Sequence, residues 1–138
     1  MHRIQTAIIT HAMHRITIEP TPVTPAVDFN ADSGTLSISG RSLPEDVKSF
    51  YIPLVQWIDE YIKTPNPTTT LLLSFDYFNT ASSKMLLIIL NKFKELQRSG
   101  HQVQVIWQYP SDDVELENAG QDFAELLNLP FKIEPINS

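Results

Sequence analysis

Phe75-Asp76-Tyr77-Phe78-Asn79-Thr80-Ala81-Ser82-Ser83-Lys84, followed by Met85-Leu86-Leu87-Ile88-Ile89-Leu90, is the stretch on which the fold turns. Before it, Leu71-Leu72-Leu73-Ser74-Phe75 is an apolar run of strand length, fit for a buried strand. After it, apolar residues at 85, 86, 89, 90, 93 and 96 recur at helical spacing up to Gly100, a residue suited to the position just past a helix end. The stretch is therefore a strand end turning into a helix start. It carries a surplus of capping side chains: Asn79, Thr80, Ser82 and Ser83. One cap satisfies one or two free N–H groups of a first turn, so a single such residue would suffice. On residue types alone, Thr80 or Ser82 reads as an ordinary cap and its neighbours as polar loop. Surplus hydroxyls at a positive helix end also suit an anion, or a hydroxyl that becomes one by phosphorylation.

Upstream, Lys63 to Thr69 is a turn-rich loop with prolines at 65 and 67. Ahead of it, Val47, Phe50, Tyr51, Leu54, Trp57, Ile58, Tyr61 and Ile62 make the apolar face of a helix. Its aromatics read as core and inter-helix packing. Gly40 to Asp46 reads as the helix entry, with Ser42 as a cap, Pro44 in the first turn, and Glu45 and Asp46 at the positive end. Pro53 interrupts the pattern and predicts a kink or a break near Ser49, because proline lacks the N–H of a helical hydrogen bond. Further back, Ala26 to Asn30 and Thr35 to Ser39 alternate around Ala31-Asp32-Ser33-Gly34, a hairpin signal in which Gly34 takes the positive φ. Pro20, Pro22 and Pro25 hold the chain extended before it, and His14 to Ile18 reads as an edge strand.

Downstream, His101 to Tyr109 is a strand, with Val103, Val105 and Trp107 on one side and Ile106 on the other. A third helix runs from about Asp113 to Leu127, weakened at Gly120, and Leu129 to Ile133 reads as a last short strand. Helices then alternate with strands, so right-handed crossovers make the later strands parallel. The fold class is α/β: a mixed β-sheet with an N-terminal antiparallel hairpin and helices packed on it.

The 138 residues suffice for one core and not for two ordinary domains. The 42% apolar and 19% charged content is that of a soluble globular protein. A net charge of −6 argues against nucleic-acid binding, which needs clustered Lys and Arg. No cysteine is present, which excludes disulfide scaffolds, thiolate zinc sites and cysteine catalysis and fits a reducing cytoplasm. No apolar run reaches membrane-spanning length, so no membrane insertion is expected. His2, His11, His14 and His101 have no metal-ligand spacing, and phosphate-cradling glycine motifs are missing, so neither metal nor cofactor is expected. Asp112, Asp113, Glu115, Glu117, Asp122 and Glu125 gather around the third helix, where no Lys or Arg lies between Arg98 and Lys132. A solvated acidic face accounts for them.

Thr24-Pro25-Ala26-Val27-Asp28-Phe29, Gly40-Arg41-Ser42-Leu43-Pro44-Glu45-Asp46, Phe50-Tyr51-Ile52-Pro53-Leu54, Tyr77 to Lys84 and the Trp107 strand together resemble the SiaC family of bacterial regulatory phosphoproteins, in order from about Ile16 to Phe131. Asn79-Thr80-Ala81-Ser82-Ser83-Lys84 is the most specific part. The resemblance implies a STAS-like fold and a non-enzymatic cytoplasmic switch phosphorylated on Thr80. It implies three partners: a protein kinase, a PP2C-type phosphatase and a diguanylate cyclase. The unphosphorylated form would activate the cyclase, raising cyclic di-GMP and favouring biofilm. Partner binding is expected of Asp76, Tyr77, Phe78, Asn79, Ser82, Ser83 and Lys84. Tyr77, Phe78 and Met85 would add apolar contact if exposed. Asp76 otherwise braces the loop, and Lys84 pairs with a phosphate on Thr80 or is simply solvated. Two other readings use the same residues: an anti-sigma-factor antagonist working by partner switching, and a small-molecule or hydrolytic α/β protein using Asp76 and the hydroxyls. Met-His-Arg-Ile occurs at 1–4 and again at 13–16. Residues 1–12 are therefore read as an N-terminal extension before a single domain over 13–138, a short duplication being the alternative.

Overall fold

A computed structural model describes residues 13–137. Their elements are β1 (Ile16–Ile18), β2 (Ala26–Asn30), β3 (Thr35–Ser42), α1 (Val47–Tyr61), β4 (Thr68–Phe78), α2 (Thr80–Arg98), β5 (Gln102–Pro110), α3 (Val114–Leu127) and β6 (Phe131–Ile136). The strands form one six-stranded sheet in sequence order. β1, β2 and β3 pair antiparallel, and β3 through β6 pair parallel. This is the expected mixed sheet with its antiparallel hairpin at one side. The reading of residues 1–12 lies outside the described residues.

Register decides which side chains share a face. Phe29 opposes Leu36, Leu36 opposes Leu71, Leu71 opposes Val105, and Val105 opposes Phe131. Strands β3 to β6 are added in one direction, so crossovers of one hand place all three helices over that face. Their apolar stripes close a single core with it. The other face carries Ser37, Ser39, Thr70 and Ser74 around half-buried Leu72 and Ile106. The Leu71–Phe75 run is thus buried on alternate residues only. A parallel strand covered on both faces would bury every residue; this sheet has helices on one side.

Local chemistry sets the helix ends, in places differently from expectation. α1 starts at Val47 with Asp46 as its cap, its carboxylate accepting from the Ser49 N–H at 3.1 Å. Ser42 is instead the last residue of β3, and Pro44 precedes the helix. Pro53 lies inside an unbroken α1, so the expected break is absent. It is exposed, and the opposite face, with Tyr51, Leu54, Trp57, Ile58 and Tyr61 buried, holds the helix through the one missing hydrogen bond. α2 ends where the Gly100 N–H donates to the Gln97 carbonyl and the His101 N–H to the Leu96 carbonyl, with Gly100 at φ +102°. β6 sits later than expected, at 131–136, where pairing with β5 extends through Pro110↔Ile136. No helix of the described residues is long and apolar enough to cross a membrane.

Candidate functional site

The β4–α2 junction is shaped by a β-bulge. Gly40 opposes Phe75 but Arg41 opposes Tyr77, which leaves Asp76 as the extra residue of β4. Inward and outward positions exchange at that point. Phe78 turns to the core side, 5.5 Å from the Phe75 ring and 6.0 Å from the Trp107 ring, centroid to centroid. Tyr77 turns outward, 44% exposed, with the Arg41 guanidinium 5.4 Å from its ring centroid. Asp76 is exposed and makes no side-chain hydrogen bond among the described residues, so it does not brace the loop. Met85 is core, at 8% exposure.

Asn79 is the cap of α2: its side-chain oxygen accepts from the Ser82 N–H at 2.8 Å. The hydroxyls that follow have separate fates. Ser82 is fully buried; its Oγ donates to the Ser42 carbonyl at 3.0 Å and accepts from Ser42 Oγ at 2.8 Å. Ser42 Oγ, its own proton so used, accepts from Tyr51 Oη. Burial pushes the Tyr51 hydroxyl pKa up, and the two serine contacts partly offset it. The Asn79 N–H also donates to the Ser42 carbonyl, at 3.0 Å. Ser83 Oγ donates back to the Thr80 carbonyl at 2.7 Å. Thr80, first residue of α2, is exposed, and its hydroxyl has no partner among the described residues. Lys84 lies one turn further on, exposed and in no ion pair among them.

Of the residues singled out from sequence, Asp76, Tyr77, Asn79, Thr80, Ser83 and Lys84 thus lie at or near the surface, Asn79 and Ser83 half-buried. Phe78 is half-buried in the aromatic cluster, and Ser82 is sealed inside as folded, out of a partner's reach. Sequence reasoning missed Ser42 and Tyr51, which anchor the junction from β3 and α1. A tyrosine on an apolar helix face was the available signal, because a buried phenol needs a hydrogen-bond partner.

Beside the junction lies a cleft of about 270 Å³ between the end of β4 and the start of α3. Asp76, Asp113 and Glu115 supply its carboxylates, and Tyr77, Phe78, Leu116 and Ala119 its apolar wall. Asp113 is already engaged as the α3 cap, accepting from the Leu116 N–H at 3.0 Å. Among the described residues no three His, Cys, Asp or Glu side chains are grouped as a metal site requires. On the α2 side of the cleft the picture is reversed: the first turn of α2 holds no acidic residue. Its positive end carries Lys84 and no carboxylate, an arrangement that favours an anion.

Residues 18–136 match the model of the SiaC family regulatory phosphoprotein. The chain is similar to SiaC of Pseudomonas aeruginosa in its apo form, with a TM-score of 0.83 and 28% identity over 88% of this chain and 99% of that one. It is equally similar to a chain in the structure of the diguanylate cyclase SiaD in complex with its activator SiaC from the same organism, at a TM-score of 0.83 and 26% identity, covering 88% and 99%. A protein of Pseudomonas aeruginosa strain UCBPP-PA14 is 27% identical over 122 residues, 88% of this chain and 97% of its own length.

Proposed function

Because the chain belongs to the SiaC family of regulatory phosphoproteins, we propose that it is a non-catalytic signalling switch governed by phosphorylation of Thr80. Its unphosphorylated form binds and activates a diguanylate cyclase, so that cyclic di-GMP rises and biofilm is favoured. A protein kinase sets the switch, and a PP2C-type phosphatase resets it in the cytoplasm. The observation that carries this reading is the separation of the hydroxyls: Ser82 is buried and doubly bonded, Ser83 is bonded back to the helix, and Thr80 is exposed and uncommitted. The relative whose structure contains a cyclase supports the choice of partner.

A phosphate on Thr80 adds about 1.5 to 2 negative charges at a positive helix end. Lys84, four residues on, lies on the same helix face, with the anion N-terminal to the cation as the dipole prefers. The fold therefore tolerates the modification. Docking does not, because burying an unpaired dianion against a partner incurs a large desolvation cost. Around Thr80 the exposed Asp76, Tyr77 and Lys84, with half-buried Asn79 and Ser83, form the rim a partner meets. Wild type, Thr80→Ala, Thr80→Asp and the phosphorylated protein are compared by melting curve and by cyclase titration. Expected are four similar melting curves, binding by wild type and Thr80→Ala, and weakened binding by the other two. Phosphate mapped to Ser82 or Ser83, or full binding by the phosphorylated protein, overturns the reading.

A further inference from the structure

We propose that the ends of β3 and β4, on the side of the sheet away from the helices, form a contact surface for a second copy of this chain, with Arg41 of each copy paired to Asp76 of the other. The bulge builds this surface. Phe75 and Phe78 both face the core, so the two residues between them, Asp76 and Tyr77, are left to solvent. Arg41 opposes Tyr77 in register and is exposed on the same side. Ser39 and Ser74 oppose each other just below and are short, so another surface can approach closely. Val23, 46% exposed, stands at the margin.

Arg41 is held in place and left unpaired. Its Nε donates to the Pro22 carbonyl at 3.2 Å, and its guanidinium lies over the Tyr77 ring. The loop that supplies this carbonyl is itself fixed: the Thr21 N–H donates to the Thr24 carbonyl and the Leu43 N–H to the Val23 carbonyl, each at 2.9 Å. Drawn toward that loop, the guanidinium does not pair with Asp76. Neither residue takes part in any ion pair among the described residues. A cation and an anion thus share one small surface, each without its counter-ion.

Self-complementarity selects the occupant. A two-fold axis through Tyr77 sets each Arg41 opposite the Asp76 of the other copy and brings the two exposed rings together. Arg and Tyr are residue types in which interfaces concentrate binding energy, and a guanidinium already fixed gives up little entropy on meeting a carboxylate. A partner offering charge of one sign would satisfy one residue and repel the other. The −6 charge of each copy opposes association at long range, but beyond about 8 Å it is screened at physiological salt. The surface is small, so the dimer is weak, with Kd on the order of 100 µM. Asp76 and Tyr77 also belong to the rim around Thr80, so pairing of copies withholds them from other proteins. The pairing itself needs no phosphate and stands apart from the Thr80 switch.

The test compares the full chain, Arg41→Asp, Asp76→Arg and an equimolar mixture of the two variants by sedimentation velocity. Concentrations span about tenfold on either side of that Kd, and each sample is checked by melting curve. Both side chains are exposed, so folding is retained. Wild type should pass from monomer to dimer as concentration rises. Each single variant sets like charges against each other at both pairs and should associate at least about tenfold more weakly. In the mixture, a dimer with one variant of each kind regains both pairs, so association should return to within about threefold of wild type. A wild-type chain that stays monomeric throughout, single variants that associate like wild type, or a mixture no better than its components overturns the proposal.

Discussion

The hydroxyls of Tyr51, Ser42 and Ser82 donate in one direction, ending on the Ser42 carbonyl, in a site with no exposure to water. Removing different members leaves different groups stranded, which makes the chain testable. Ser42→Ala strands the Tyr51 O–H, a buried donor, and is expected to cost about 1–3 kcal/mol. Tyr51→Phe removes the terminal donor and strands only a lone pair, so about 0.5–1.5 kcal/mol is expected. Denaturant titration of both variants at neutral pH checks the order; equal, negligible losses would show that the chain contributes nothing. The same tyrosine gives a pH signature. Its folded pKa is raised, so its contribution is complete below the unfolded value of about 10 and is lost as pH climbs from there through the folded value. Stability should fall above that point, and Tyr51→Phe should flatten the fall.

An element can carry a residue that its own propensity disfavours. Gly120 sits within α3, where alanine would gain about 1 kcal/mol in helix propensity. A Cβ there would lie 2.5–2.7 Å from three atoms of the Trp107 indole, which donates to the Leu116 carbonyl at 2.9 Å. Overpacking costs about 1–3 kcal/mol, and the rigid indole cannot retreat without giving up its hydrogen bond. Packing wins: Gly120→Ala should lower the melting temperature, and a rise would show that the ring has room to move. β4 shows the same priority of packing over local pattern. Its bulge at Asp76 breaks strict alternation and turns Phe78 rather than Tyr77 to the core, where Phe78 meets Trp107 and Phe123.

At the scale of the molecule, helices on one face of the sheet divide β4 into two unequal sets. Leu73 is fully buried, whereas Leu72 faces the uncovered side and is only half-buried. Leu73→Ala is expected to cost about 2–5 kcal/mol, from lost burial and the cavity left behind. Leu72→Ala should cost less, since part of its side chain stays in water on the uncovered face and its removal leaves no enclosed cavity. Denaturant titration of the pair checks this. Equal losses would mean that the second face is covered in solution.

Within the amino-acid sequence alone lay the succession of strands and helices, the hairpin with Gly34, the end of α2 at Gly100, and the placement of Thr80 at a helix start. All of these depend on periodicity, propensity and capping, which act over a few residues of chain. Tertiary structure decided which of the candidate caps serves α2, where α1 begins, which face of the sheet is covered, and that Ser82 is sealed while Thr80 is free. Those outcomes hang on pairings between distant segments: Ser42 meets Ser82 across 40 residues, and the bulge exists only because β3 and β4 pair out of step. Hydroxyls adjacent in sequence are alike as candidate caps, and only helical spacing, which puts Ser82 on the stripe of Met85, Leu86 and Ile89, hints at a difference. What separates them is burial, which is a property of the assembled core.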